Sequence, residues 1–317
     1  MKPLKVVFFG TPDFAARSLQ AIHESHHEVV GVVTVADKAS GRGQKINESA
    51  VKKYAAEQNL IIFQPEKLRN PEFLEDIKTL DADVFVVVAF RMMPKILFQQ
   101  PRLGTFNLHA SLLPDYRGAA PINYAVINGE TVTGATTFFI NEKIDEGNIL
   151  LQEKVEVDPN ENAGSLHDRL MEMGAGLVVK TLEGLSEGNI TESPQPYREH
   201  PKNAFKIFKE DTRINWKQKA KNVHDFIRGM SPYPCAFTTL TIGEETKGLK
   251  IFGGQYENIE HSEKPGSLVI NKNECKIYAE DGVYTPLEVQ LEGKKRMLVK
   301  DFLNGFHSFE NIKNSVD

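Results

Sequence analysis

Cysteine is almost missing from this chain: Cys235 and Cys275 are the only two in 317 residues. Their separation fits no thiolate metal site, redox pair or disulfide scaffold. The expectation is two inert thiols in a reducing compartment, the cytoplasm. Long apolar runs are missing as well. The longest, Val84 to Phe90, suits a buried strand and falls far short of the ~20 residues a membrane-spanning helix needs. The opening MKPLKVVFFG carries no leader cleavage pattern and leads straight into a strand pattern. Glycine is scarce where a dinucleotide enzyme would need it. The turn Gly10-Thr11-Pro12-Asp13-Phe14 has one glycine, and Pro12 removes a backbone donor that a pyrophosphate would use. A nicotinamide oxidoreductase is therefore disfavoured. There is no basic excess either, with 38 Lys and Arg against 43 Asp and Glu. The residues after 205 hold 17 basic against 16 acidic side chains, those before 21 against 27. The asymmetry is small, in the direction of an appended nucleic-acid module.

What is present is alternation. Apolar runs at 5–9, 29–34, 61–63, 84–89 and 105–109 read as strands; helical patterns at 49–59, 71–80 and 120–128, and one from Phe14, lie among them. This periodicity predicts an α/β fold built on an open, doubly wound sheet. Such sheets bind ligands beyond the carboxyl ends of their strands, where Gly10, Phe90 and His109 fall. Strands at 131–139 and 149–157 and a long helix at 165–185 follow. Residues 1–188 form the first expected domain, the polar, Pro-containing 189–207 a linker, and 208–317 the second domain. Within that second domain a single helix, 219–228, precedes short strands at 237–242, 249–252, 267–270, 276–279 and 284–290. Their number suggests a small OB-like β-barrel.

The segment Phe106 to Gly118, FNLHASLLPDYRG, carries the most chemistry. Asn107 and His109 stand two apart in a strand pattern, so both project from one face. A turn, Leu113-Pro114-Asp115, and an Arg-Gly pair follow at the strand end. An amide can donate to a developing oxyanion, and an imidazole can exchange protons. Asp145, in the glycine-punctuated loop Lys143 to Gly147, is the candidate to orient the imidazole. Other features read more plainly. His23, His26 and His27 suggest surface residues. The loop 36–46, with Lys38, Arg42 and Lys45 around two glycines, could grip phosphates as a mobile basic finger. Lys206, Lys209, Lys217, Lys219, Lys221 and the Lys294-Lys295-Arg296 run could form a phosphate-facing stripe. Tyr233 could stack on bases, whereas Trp216 better suits a core.

Over nearly its whole length the chain resembles the methionyl-tRNA formyltransferases, within the 10-formyltetrahydrofolate-dependent formyltransferase family. The matching stretches are FFGTPDFA, PEKLRNPEF, RLGTFNLHASLLPDYRGAAPINYAVING, IDEGNIL, KIFKEDTRINW and IRGMSPYP. The resemblance implies a Rossmann-like catalytic domain and an OB-like domain that helps hold tRNA. It implies transfer of a formyl group from the co-substrate 10-formyltetrahydrofolate to the α-amine of methionyl initiator tRNA, with no metal. By position, Asn107, His109 and Asp145 would be catalytic, and Ser111, Leu112, Leu113 and Pro114 would line the folate site. Phe14 would help form the methionine pocket and Arg42 would enter near the acceptor end; Lys206, from the lysine stripe, is the further candidate to face the tRNA. The chain departs from the family's usual residues at Ala110 (commonly proline), Lys38-Ala39-Ser40 and Phe90-Arg91-Met92-Met93. A formyltransferase acting on a small-molecule amine is the alternative. A monomer without membrane attachment is expected.

Overall fold

The computed structural model describes residues 2–40, 45–305 and 311–316. The chain forms two compact units. The first takes Met1–Pro121, Thr133–Val155 and Asp168–Asn203; the second takes Ile122–Val132, Glu156–His167 and Ala204–Asp317.

The elements run β1 (Lys5–Gly10), α1 (Asp13–His23), β2 (Glu28–Val33), a short hairpin of β3 (Lys38–Ser40) and β4 (Lys45–Asn47), α2 (Ala50–Glu57) and β5 (Ile62–Phe63). Next come α3 (Pro71–Thr79), β6 (Val84–Val88), α4 (Lys95–Phe98), β7 (Thr105–His109), β8 (Arg117–Gly118) and α5 (Pro121–Ile127). Then follow β9 (Val132–Phe139), β10 (Ile149–Glu156), α6 (Ala163–Glu187) and β11 (Asn203–Ala204). Local chemistry accounts for the helix starts. Asp13 sits in the first turn of α1, where its charge complements the helix dipole. Ser49 caps α2 by accepting from the Lys52 amide, and Asn70 caps α3 ahead of Pro71.

The first unit's sheet has the order β10-β9-β7-β6-β1-β2-β5. β5, β2, β1, β6 and β7 are successively parallel, and β9 joins β7 antiparallel. β6, Val-Phe-Val-Val-Val, is buried along its length because both faces of a parallel sheet are covered. On one face Val7, Phe9, Phe85 and Val87 pack with Phe73, Ile77 and Leu97. β1 has β2 on one side and β6 on the other, so strand order reverses at its carboxyl end. That reversal opens the ligand crevice of a doubly wound, Rossmann-like sheet.

The second unit contains a 3-10 turn at Glu210–Thr212, α7 (Ala220–Met230), β12 (Ala236–Ile242), β13 (Glu245–Asn258) and β14 (Leu268–Ile270). It continues with β15 (Cys275–Tyr278), β16 (Gly282–Leu291), β17 (Met297–Leu298), α8 (Val299–Asn304) and β18 (Ile312–Val316). Its sheet runs β14-β15-β16-β13-β12-β18, with β17 on β16. The two end strands meet: the Val316 amide donates to the Gly266 carbonyl at 2.8 Å, and Ser267 bridges Ser315. The sheet is thereby a nearly closed, OB-like barrel with few free edges. Trp216 lies in its core, its indole N–H donating to Thr238 Oγ1 at 3.1 Å.

Pieces of chain from before residue 168 complete this unit. Gly229 of α7 lies so close to α5 that a Cβ there would stand 2.8 Å from the Ile127 amide nitrogen. Arg228 and Asp225, both buried, pair at 2.8 Å, and Arg228 also donates to the Glu161 carbonyl at 3.0 Å. Three sequence expectations need correction. β13 spans 14 residues rather than four. α8 and β18 had no sequence counterpart. His27 is buried, not a surface residue: its Nδ1 accepts from the Leu4 amide at 3.2 Å.

Candidate active site

β7 is held on both edges. Asn107 lies opposite Val87 of β6 and Phe138 of β9, and His109 opposite Thr136 of β9. Leu108 faces α6 and packs against Gly174, where a Cβ would approach its Cδ2 to 2.9 Å. Asn107 and His109 consequently face away from that helix, as the two-residue period requires. Asn107 is partly exposed, and among the described residues no group hydrogen-bonds its carboxamide. His109 is only 7 % exposed. Its Nε2 bonds the Tyr116 carbonyl at 2.8 Å, and because a carbonyl only accepts, that nitrogen carries the proton.

Asp145 is brought to the same place. Its Oδ2 lies 3.9 Å from His109 Nδ1 and accepts from the Gly118 amide at 2.9 Å. The 3.9 Å separation is too long for a direct hydrogen bond. It becomes an ion pair only when the ring holds both protons. Asp145 has φ 54°, a left-handed conformation uncommon outside glycine and held here by its surroundings. Those surroundings are visible. A Cβ on Gly147 would fall 1.5 Å from the Phe139 carbonyl oxygen, so the loop closes against β9 as only glycine permits.

The turn after His109 is equally determined. Ser111 Oγ donates to the Asp115 carbonyl at 2.7 Å, and the Leu113–Pro114 peptide is cis. Thr136 Oγ1 donates to the Ser111 carbonyl at 2.6 Å and accepts from the Leu113 amide at 3.1 Å. Gln152 Nε2 reaches both the Leu113 carbonyl, at 3.0 Å, and Thr136 Oγ1, at 2.9 Å. Ser111, Leu113 and Pro114 are buried and Leu112 is half-buried, so packing as well as hydrogen bonding holds the turn.

The first unit therefore gathers Asn107, His109, Asp145 and the Ser111–Pro114 turn. Phe14 is buried at the start of α1, 7 % exposed. Lys206 stands exposed on the second unit, its ammonium 5.2 Å from the Phe208 ring centroid. Arg42 and the tip of the basic loop lie outside the described residues. Of the suggested lysine stripe, Lys221 is paired with Asp225, and Arg296 pairs with Glu288 over the Phe252 ring. Tyr233 is 83 % exposed. Among the described residues no cluster of three His, Cys, Asp or Glu is arranged to hold a metal ion. Sequence reasoning missed Thr136, Gln152 and Gln195, whose roles here depend on contacts distant in the chain. A threonine within a strand and two glutamines carry no local pattern that would mark them.

A profile of the formyl transferase family matches residues 4–182, and one of the formyl transferase C-terminal domain matches residues 206–307. The methionyl-tRNA formyltransferase of Flavobacterium johnsoniae is 48 % identical over 313 residues, covering 99 % of each chain. That of Bacteroides fragilis is 46 % identical over 315 residues, covering 98 % of this chain and 97 % of its own. The chain belongs to the methionyl-tRNA formyltransferase family. Solved structures share its fold. An N-formyltransferase from Helicobacter canadensis, solved in complex with folinic acid and dTDP-3-aminofucose, aligns with a TM-score of 0.64 at 20 % identity. The alignment covers 89 % of this chain and 99 % of the other.

Proposed function

We propose that the protein transfers the formyl group of 10-formyltetrahydrofolate to the α-amine of methionyl initiator tRNA, giving N-formylmethionyl-tRNA. The full-length identity to methionyl-tRNA formyltransferases supports the acceptor. The observation that carries the chemistry is Asp145 standing beside His109 on the face that also presents Asn107. An unengaged carboxamide at the crevice edge fits a carbonyl oxygen in need of a donor, and the ordered Ser111–Pro114 turn supplies a wall for the folate.

The donor co-substrate supplies an activated formyl group on nitrogen. The Asn107 N–H donates to the formyl oxygen as the amine attacks and negative charge develops there. Tyr116 occupies His109 Nε2, so proton traffic falls to Nδ1, which faces Asp145 across a gap that an amine or a water can bridge. The ring accepts the proton leaving the amine. It returns one to the folate nitrogen as the carbon–nitrogen bond breaks. One formyl group and one proton change places, and the ring ends as it began. Phe14 would contribute to the methionine pocket, with Arg42 and Lys206 meeting the tRNA. The domains would divide as catalytic residues 1–188, linker 189–207 and tRNA-binding 208–317, in a cytoplasmic monomer.

Formylation of charged initiator tRNA, run beside a charged elongator tRNA and small amines, tests the acceptor. His109→Ala and Asn107→Ala should fold normally and lose at least about a hundredfold in turnover, the usual scale for such groups. Near-normal transfer by His109→Ala, or a preference for small amines, would overturn the reading.

A further inference from the structure

Gln195 lies in the segment whose composition reads as a linker, 50 residues beyond Asp145. Its side chain is nonetheless fully engaged in the first unit. Nε2 donates to the Asp145 carbonyl at 2.8 Å and to the Gly147 carbonyl at 2.9 Å. Oε1 accepts from Arg117 Nε at 3.1 Å and Nη2 at 2.7 Å. Arg117 in turn pairs with Glu146 at 3.2 Å and immediately precedes Gly118, whose amide binds the Asp145 carboxylate. One carboxamide thus spans the two chain segments that fix Asp145: its own loop and the strand carrying its backbone donor. The neighbouring Ser193 is tied to Ile149 by reciprocal backbone bonds at 2.7 and 2.9 Å, so the segment is anchored at the base of the same loop.

We infer that Gln195 is a positioning residue for formyl transfer, clamping the Asp145 loop so that the carboxylate stays beside His109. The left-handed backbone at Asp145 is what makes a clamp necessary. A loop residue held in that region relaxes when its external restraints go. Gln195 acts through Asp145 and touches no reacting atom. Its amide end restrains the carbonyls of residues 145 and 147, and its oxygen end holds Arg117. The two functions separate by substitution. Glu in place of Gln keeps an acceptor for Arg117 but turns a second acceptor toward two carbonyls, which expels the loop. The inference rests on the catalytic reading of Asp145.

The test compares purified Gln195→Ala and Gln195→Glu with the parent in formylation of methionyl initiator tRNA. Both should lose about ten- to a hundredfold in kcat, the scale of a displacement of about 1 Å in a catalytic group. KM for each substrate should stay within about twofold, and far-UV circular dichroism should be unchanged. In an Asp145→Ala background, Gln195→Ala should cost nothing further, because the group it positions is gone. A near-normal kcat for Gln195→Glu, or an additive loss in the double variant, would overturn the inference. A crystal structure of Gln195→Ala with the Asp145–His109 separation unaltered would also overturn it. Normal turnover by Asp145→Ala alone would instead remove the catalytic reading, and the crystallographic separation would still decide the clamp.

Discussion

Replacing Thr136 by valine changes a hydroxyl for a methyl of nearly the same size, at a site with no exposure at all. The hydroxyl currently serves three partners: it donates to the Ser111 carbonyl and accepts from the Leu113 amide and Gln152 Nε2. Gln152 keeps a second acceptor in the Leu113 carbonyl, so its loss is partial. The two backbone groups on Ser111 and Leu113 sit in buried residues, shielded from bulk solvent. Each unsatisfied buried group costs about 1–3 kcal/mol. Some relaxation of the turn lowers the sum, leaving about 2 kcal/mol of local destabilisation, or roughly thirtyfold in the opening equilibrium. Amide hydrogen exchange on the peptide spanning 111–117 reads that opening directly. Because the turn is the proposed folate wall, KM for the formyl donor should rise about tenfold while KM for the tRNA stays put. Thr136→Ser retains all three bonds and loses one methyl, about 0.8 kcal/mol, so it should behave nearly as the parent. Unchanged exchange and unchanged donor KM in Thr136→Val would refute the claim that this hydroxyl shapes the turn.

Burial, followed by the charge of neighbouring His26, lowers the His27 pKa from 6.5 to about 4. The unfolded chain therefore binds the proton first as pH falls. Stability held above pH 6.5 is lost progressively toward pH 4, and His27→Gln should flatten that slope in thermal unfolding. A slope identical in the variant would show that other groups set it. Gly147→Ala would force a methyl into the Phe139 carbonyl, moving the Asp145 loop. Turnover should fall at least about tenfold, the consequence of displacing a catalytic group. The emission of Trp216, which is buried in the second unit and is the only tryptophan, should not change. Parent-level turnover by Gly147→Ala would mean the loop tolerates displacement.

The parallel sheet was legible because its strands are short, apolar and separated by helical periods. β7 matched its sequence range at both ends, and β6 and β9 within one residue. The barrel was less so. In β13 the glycines Gly253 and Gly254 read as a turn, but they mark the register shifts where the strand bends along β16. β18 had no counterpart because Ile312–Val316 places three polar residues, Lys313 to Ser315, in a row and gains its place by pairing with β12 and closing the barrel on Gly266. The same logic governs His27. A run of histidines after a helix looks solvated until the Leu4 amide supplies a buried partner.

The candidate site divides along that line. Asn107 and His109 could be paired from the sequence because a strand's two-residue period is local and rigid. Asp145 could only be nominated, since its approach to His109 depends on how the β9–β10 loop closes, and that closure depends on Gly147 and a side chain 50 residues on. Composition alone does not show which partners that later segment takes, for a physical reason. Polar, proline-containing chain is what a flexible tether needs, but it is also what an extended strap needs when its side chains are to satisfy loop carbonyls. The difference between tether and strap lies in the partners of Gln195 and Ser193. A strap with those partners makes the geometry at residue 145 a property of three separated pieces of chain, so its failure should be cooperative rather than local.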